Sequence, residues 1–303
     1  MNGRPSGSCF GFAVSADRPL RYLRDGGAER LVVVGGAEQG PRRGDALVRR
    51  WTRPVVPFEA ELYRNGDGYR LRMATVGWFE IDPVRREIAL PEPADTVRLE
   101  ERLWGVPALL CFRARGDHAL HASAVEVGGG AVVFGGPSGS GKTTLAAAFH
   151  DAGHRLLAED LVCARLHREA EVIPGPAMIR LRHDVAASFV PEATHVVARD
   201  DERLHLALAA DVRGTCDPVP LRAVVFLRSA ERPFLERVGA EDALPDLWSL
   251  SFHLPDSDDL ERCFAGVATL AGRVPVFNLY RPPSIDGFRE VAGLVTEGLM
   301  AHV

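Results

Sequence analysis

Between residues 30 and 95 apolar and polar positions come in short runs broken by turn residues, which predicts short strands. Leu31–Val34 is a β-branched run closed by Gly35-Gly36. Glu61–Tyr63 and Tyr69–Met73 flank Asn65-Gly66-Asp67-Gly68, a hairpin signal because these residues tolerate the positive φ a tight turn needs. Trp78–Ile81 and Glu87–Leu90 flank a second turn at Asp82-Pro83. Arg42–Arg53, rich in arginine, reads as a solvated face or loop.

From 96 to 115 the period becomes helical, with Val97, Leu99, Leu103, Trp104, Val106, Leu109 and Leu110 apolar. Then the pattern changes again. Ala122–Val127 and Ala131–Phe134 are predicted strands joined by Gly128-Gly129-Gly130, Thr143–His150 is a helix ended by Gly153, and Arg155–Ala158 is the next strand. Farther on, Leu221–Leu227 and Val274–Tyr280 read as strands, and Ala240–Ser249, Asp258–Ala271 and Ser284–Leu299 as helices. Asp256-Ser257-Asp258-Asp259 reads as a cap, since its side-chain oxygens can satisfy free helix N–H groups. The resulting organisation is a β-rich N-terminal domain at 1–95, a helical connector at 96–117 and a third unit at 118–303.

Composition narrows the function. A net charge of −5 and a pI near 6.1 give no general pull toward nucleic acid or an anionic membrane. The polar start lacks the apolar core of a signal peptide, and no apolar run is long enough to span a bilayer, so a cytoplasmic setting is expected. Five scattered cysteines without a C-x-x-C pair point to buried free thiols in a reducing compartment.

Lysine plus arginine total 36, yet only Lys142 is a lysine. It stands in Gly136-Pro137-Ser138-Gly139-Ser140-Gly141-Lys142-Thr143, which reads as G-x-x-x-x-G-K-[ST] between a strand and a helix. A loop closed around a triphosphate has room for a compact ammonium on a thin stem and none for a guanidinium. Its glycines let backbone N–H groups close on phosphate oxygens, with Lys142 on the outer phosphates and Thr143 on Mg²⁺; Thr144 completes the expected ATP-binding stretch. Magnesium also needs a carboxylate, and transfer to a hydroxyl needs a proton acceptor. Glu159 and Asp160, adjacent at the end of the next strand, can divide those duties. His121, ahead of the loop, is a further candidate. A cation must neutralise the transferring phosphoryl group; Arg180 and Arg182 share a face if their segment is extended.

Three blocks carry a resemblance: His121-Ala122-Ser123-Ala124-Val125, Gly136–Thr143, and Gly153-His154-Arg155-Leu156-Leu157-Ala158-Glu159-Asp160. In order and spacing they resemble the catalytic domain of bacterial HPr kinase/phosphorylase, and more closely the HPr-kinase-like proteins of lasso peptide biosynthesis clusters. The resemblance implies an α/β fold of the HPr kinase C-terminal domain/PEP carboxykinase type: a P-loop-containing mixed sheet flanked by helices, with a smaller β-rich N-terminal domain. It implies an ATP- and Mg²⁺-dependent kinase acting on a serine-type hydroxyl of a peptide or small protein, such as a lasso precursor, with self-association left open. By position, Lys142 and Thr143 hold phosphates and metal, Asp160 is the Mg²⁺ ligand, Glu159 the base and His121 the histidine near the transferring phosphate. Glu159 stands where the family has aspartate, an arm longer by one methylene; no clean copy of the second family signature follows, which leaves phosphorylase activity and HPr as substrate open. A P-loop ATPase switch without an acceptor and a kinase for a small hydroxylated metabolite are the alternatives.

Overall fold

The computed structural model describes residues 6–53, 58–92, 96–282 and 287–300. Its N-terminal part contains β1 (Gly7–Cys9), β2 (Phe12–Ala16), β3 (Glu29–Gly35), β4 (Ala46–Arg53), β5 (Phe58–Asn65), β6 (Gly68–Met73), β7 (Gly77–Asp82) and β8 (Glu87–Leu90). These eight strands make one sheet in the order β1-β2-β3-β8-β7-β6-β5-β4. Alternation decides its buried face: Leu31, Val33, Leu62, Leu71, Phe79 and Ile81 all enter one core. The expected hairpin is present, with Asn65 opposite Gly68 and Gly66 at φ +58°.

The arginine-rich stretch expected as a solvated face or loop is, at 46–53, the edge strand β4 with no buried residue over 46–52, so it forms a solvated face and not a loop. Arg50 lies directly opposite Glu61 and pairs with it at 2.6 Å, while Trp51 stacks on Phe252. Both anchors lie outside the segment, so its own polarity could not announce a strand.

The helical stretch is two helices, α1 (Thr96–Leu103) and α2 (Val106–Ala114), separated at Gly105 with Pro107 in the first turn of the second. There follow β9 (His118–Leu120), β10 (Ser123–Val127), β11 (Gly130–Gly135), α3 (Lys142–Asp151), β12 (Arg155–Ala158), β13 (Val162–Leu166), β14 (Ala170–Ile173), β15 (Met178–Arg182), α4 (His183–Ala186), β16 (Thr194–Arg199) and β17 (Arg203–Leu208). The chain ends with β18 (Val219–Ser229), β19 (Phe234–Val238), α5 (Ala240–Leu250), α6 (Ser257–Arg273), β20 (Val276–Arg281) and α7 (Phe288–Met300). Asp256 caps α6 by accepting the Asp259 N–H, as its position suggests. Residues 284–286 of the expected last helix lie outside the described residues.

A nine-stranded mixed sheet is centred on β18, which runs parallel to β11 and to β20. Helices cover both faces. Leu145, Phe149, Val291 and Val295 of α3 and α7 pack on Phe134, Val225, Leu227 and Leu279. Leu247, Leu250 and Leu270 of α5 and α6 pack on Val133, Phe226 and Val276. Burial on both faces is why these strands are continuous apolar runs in the sequence. A small sheet, β15-β17-β16, stands beside this layer. Leu181, Leu204 and Leu206 point into the α3 core, so by the period of two Arg180, Arg182, Arg203 and His205 occupy the opposite face. Arg24, fully buried, ties the first sheet to this region by donating to the carbonyls of Gly175 (2.7 Å) and Leu156 (2.8 Å). Among the described residues no helix is long and apolar enough to cross a membrane, and all five cysteines are buried free thiols.

Candidate active site

The site begins where β11 runs out of sheet. Gly136 has φ +141°, and a Cβ there would lie 2.9 Å from Ser140 Oγ, so the turn requires glycine. Gly141, at φ +94°, caps α3 in the left-handed region without a side-chain acceptor. The first-turn N–H groups of α3 therefore face the hollow of the loop, together with the positive end of the helix dipole. Lys142 Nζ donates to the carbonyls of Gly136 (2.8 Å) and Pro137 (3.1 Å), closing the loop on itself. Burial lowers its pKa, opposed by the charges of Asp160 and Glu159.

Glu159 and Asp160 follow β12, and their side chains part there. Glu159 is buried, with its side chain 1% exposed; one oxygen accepts the Thr143 hydroxyl (2.8 Å) and the other accepts Nε and Nη2 of Arg180 (2.9 and 2.8 Å). Asp160 is half-exposed, 3.0 Å from Arg180 Nη2 and 3.5 Å from His121 Nδ1. Desolvation would raise its pKa, but Arg180 and His121 hold it well below the usual carboxylate range. Arg180, which desolvation would discharge, is instead held more firmly protonated by the two acids.

His121 does not begin a strand: it sits in the break between β9 and β10, its N–H bound to the Leu250 carbonyl at 2.7 Å. That bond holds the main chain at the break, and the imidazole lies beside Asp160. All the expected loop residues from Pro137 to Thr144, with His121, Asp160, Arg180 and Arg182, line one cavity of about 670 Å³. This is within the size range of small-molecule sites. Glu159 lies behind that wall.

Three cavity arginines were not singled out from the sequence: Arg203, Arg228 and Arg281. Arg281 donates to the Ser140 carbonyl at 2.6 Å, and Arg228 donates to Asn278 Oδ1 at 2.9 Å and pairs with Asp246. Both stand at the carboxyl ends of apolar parallel strands, β18 beside β11 and β20 beside β18, and ligands of open α/β sheets gather at such ends. That rule could have found them; for Arg203, one of 35 arginines, nothing in the sequence could.

Among the described residues no cluster of three or more His, Cys, Asp or Glu could hold a metal ion by itself. The Thr143 hydroxyl with a single carboxylate fits Mg²⁺ that arrives with substrate phosphates, since that ion keeps few protein ligands.

No family model matches this chain, and no curated protein matches it. Among solved structures it is similar to the HPr(Ser) kinase/phosphatase from Coxiella burnetii, with TM-score 0.34 and 11% identity, over 61% of this chain and 97% of that one.

Proposed function

We propose that this chain is an ATP- and Mg²⁺-dependent kinase that phosphorylates a serine-type hydroxyl of a peptide or small protein. The observation that carries this reading is the division between two neighbouring acids: Glu159 is bound to Thr143 at the loop, and Asp160 is open to the cavity beside His121. A carboxylate at that opening can take the proton of an acceptor hydroxyl.

The glycine-rich loop and Lys142 hold the triphosphate. Bound Mg²⁺ would neutralise phosphate charge, held by Thr143 with Glu159 as the nearest acid. This exchanges the duties expected from the motif, because a buried carboxylate with both oxygens engaged is poorly placed to meet an incoming hydroxyl. Asp160 takes the other part. The acceptor oxygen attacks Pγ, the bond from Pγ to the β,γ-bridging oxygen breaks, ADP leaves with that electron pair, and the hydroxyl proton passes to Asp160. Its low pKa keeps Asp160 ionised and makes it a weak base, which suits a loose transition state in which the proton moves late. His121 steadies that carboxylate, and Arg180 spreads positive charge over the pair. A ribosomally made precursor of the lasso type is the acceptor suggested by the sequence blocks between 120 and 160.

The test is to incubate the protein with Mg·ATP and pools of serine peptides and read the phosphate mass shift. Labelled peptide is expected from the wild type; Asp160→Asn should lose transfer with ATP affinity intact. ADP release at an undiminished rate with no labelled peptide in any pool would leave an ATPase and reject the kinase.

A further inference from the structure

The eight-stranded sheet has two edges, and they are built differently. β1 at one edge is three residues long and mostly buried, which is one way a fold blunts an edge. β4 at the other edge is eight residues long and has no buried residue over 46–52. Among the described residues it pairs with β5 alone, and past the irregularity at Val48 its residues Arg49–Arg53 run in regular register. A row of backbone N–H and C=O groups is therefore left open to an added strand.

Arg49 and Trp51 lie on one face of β4, two places apart. The Arg49 guanidinium stands 5.3 Å from the centre of the Trp51 ring and 5.8 Å from that of Phe252, and it donates to the His253 carbonyl. Among the described residues no carboxylate pairs with it, whereas Arg50, on the other face, is held by Glu61. Trp51 and Phe252 stack into a half-buried aromatic ledge beside that charge. The ledge borders the cavity. Phe252 donates its N–H to the Ala119 carbonyl, and Ser251 bridges Leu120, next to His121 in the cavity lining. A chain seated on β4 thus has its neighbouring residues near the cavity rim.

Charge sets what fits this edge. A second copy of β4 would bring its own Arg49 and Arg50, and like charges across a strand pair are destabilising. An acidic side chain opposite Arg49 is matched instead, and an apolar one two places away meets Trp51. We propose that β4 takes up, as an added strand, an extended peptide segment in which an acidic residue stands two places from an apolar one. The proposal rests on the kinase reading for naming that peptide as the acceptor; strand addition itself is measured without transfer.

Fluorescein-labelled peptide pools carry Glu-x-Leu, Gln-x-Leu or Lys-x-Leu and a serine at several spacings from it, with the other positions degenerate. Anisotropy without nucleotide should rank the Glu pool over the Gln pool by about 3- to 5-fold for the wild type, the scale of a partly exposed ion pair, and less at high salt. Arg49→Gln should level the two, and Arg49→Glu should favour the Lys pool. The bound Glu pool should slow amide hydrogen exchange at 49–53 and leave β19, which pairs with β20 alone, unchanged. With Mg·ATP, Arg49→Glu should raise the KM for the Glu pool while kcat and the KM for ATP hold. Equal binding of the Glu and Gln pools by the wild type overturns the proposal, as does wild-type ranking in Arg49→Glu or protection confined to other segments. Ranked binding with protection of β4 but no transfer in any pool upholds the docking edge and rejects the kinase; transfer without ranking upholds the kinase and rejects the docking edge.

Discussion

Two kinds of surface line the cavity: a loop wall, where Pro137–Gly141 presents backbone N–H groups and a helix end, and a sheet wall, where β15 and β17 present arginines. The loop wall draws its field from peptide dipoles, which do not titrate and need no counter-charge. The sheet wall draws its field from whole charges, so most of its cations are matched by acids brought from elsewhere: Glu101 from α1, Glu159 and Asp160 from beyond β12, and Asp200 from a turn. A site built the first way is locally encoded. One built the second way ties recognition to the stability of the whole fold.

The comparison is broken most sharply at Lys142, the one whole charge of the loop wall. Lys142→Ala should lower transfer by about 10³-fold or more, since charge clamps on a transferring phosphoryl group act at that scale. The unfolding midpoint should hardly move, because the lysine's partners are carbonyls that water can serve. Near-normal transfer in a purified sample would reject the loop as the phosphate site.

On the sheet wall an arginine should behave differently. Arg180→Met leaves Glu159 buried with only the Thr143 hydroxyl, and should cost about 3–5 kcal/mol in denaturant unfolding. Adding Glu159→Leu should return most of that stability while transfer stays lost. If the single variant unfolds like the wild type, the sheet wall is not coupled to stability as argued.

A smaller effect concerns pH. Desolvation lowers the His205 pKa, but hydrogen bonds and charge from Glu101 and Asp200 outweigh it, so the net shift is upward. The imidazolium thus contributes stability that is fully present below the unfolded-state value, about 6.5, and is lost as pH rises through the higher folded value. The wild-type melting temperature should fall across that window relative to His205→Gln, whose dependence there should be flatter. Parallel curves would remove His205 from the account.

What could be read in the sequence followed locality. The Asn65–Gly68 hairpin, the loop from Gly136 and the cap at Asp256 each depend on neighbours a few residues apart, and each is found where its pattern lies. β4 was missed because its anchors, Glu61 and Phe252, lie 11 and 201 residues beyond Arg50 and Trp51. The acids at 159 and 160 were visible as a pair, but not their division: only the meeting of Thr143, Arg180 and His121 around them makes one buried and the other open.

The sequence by itself determined the glycine-rich turn, its single lysine and the strand and helix on either side, because φ preferences and apolar periodicity act over a few residues. Tertiary structure alone decided which of 35 arginines reach the cavity and which of them meet an acid there. Charge carries no periodicity along the chain; its worth is set by the distance to partners that only folding brings near.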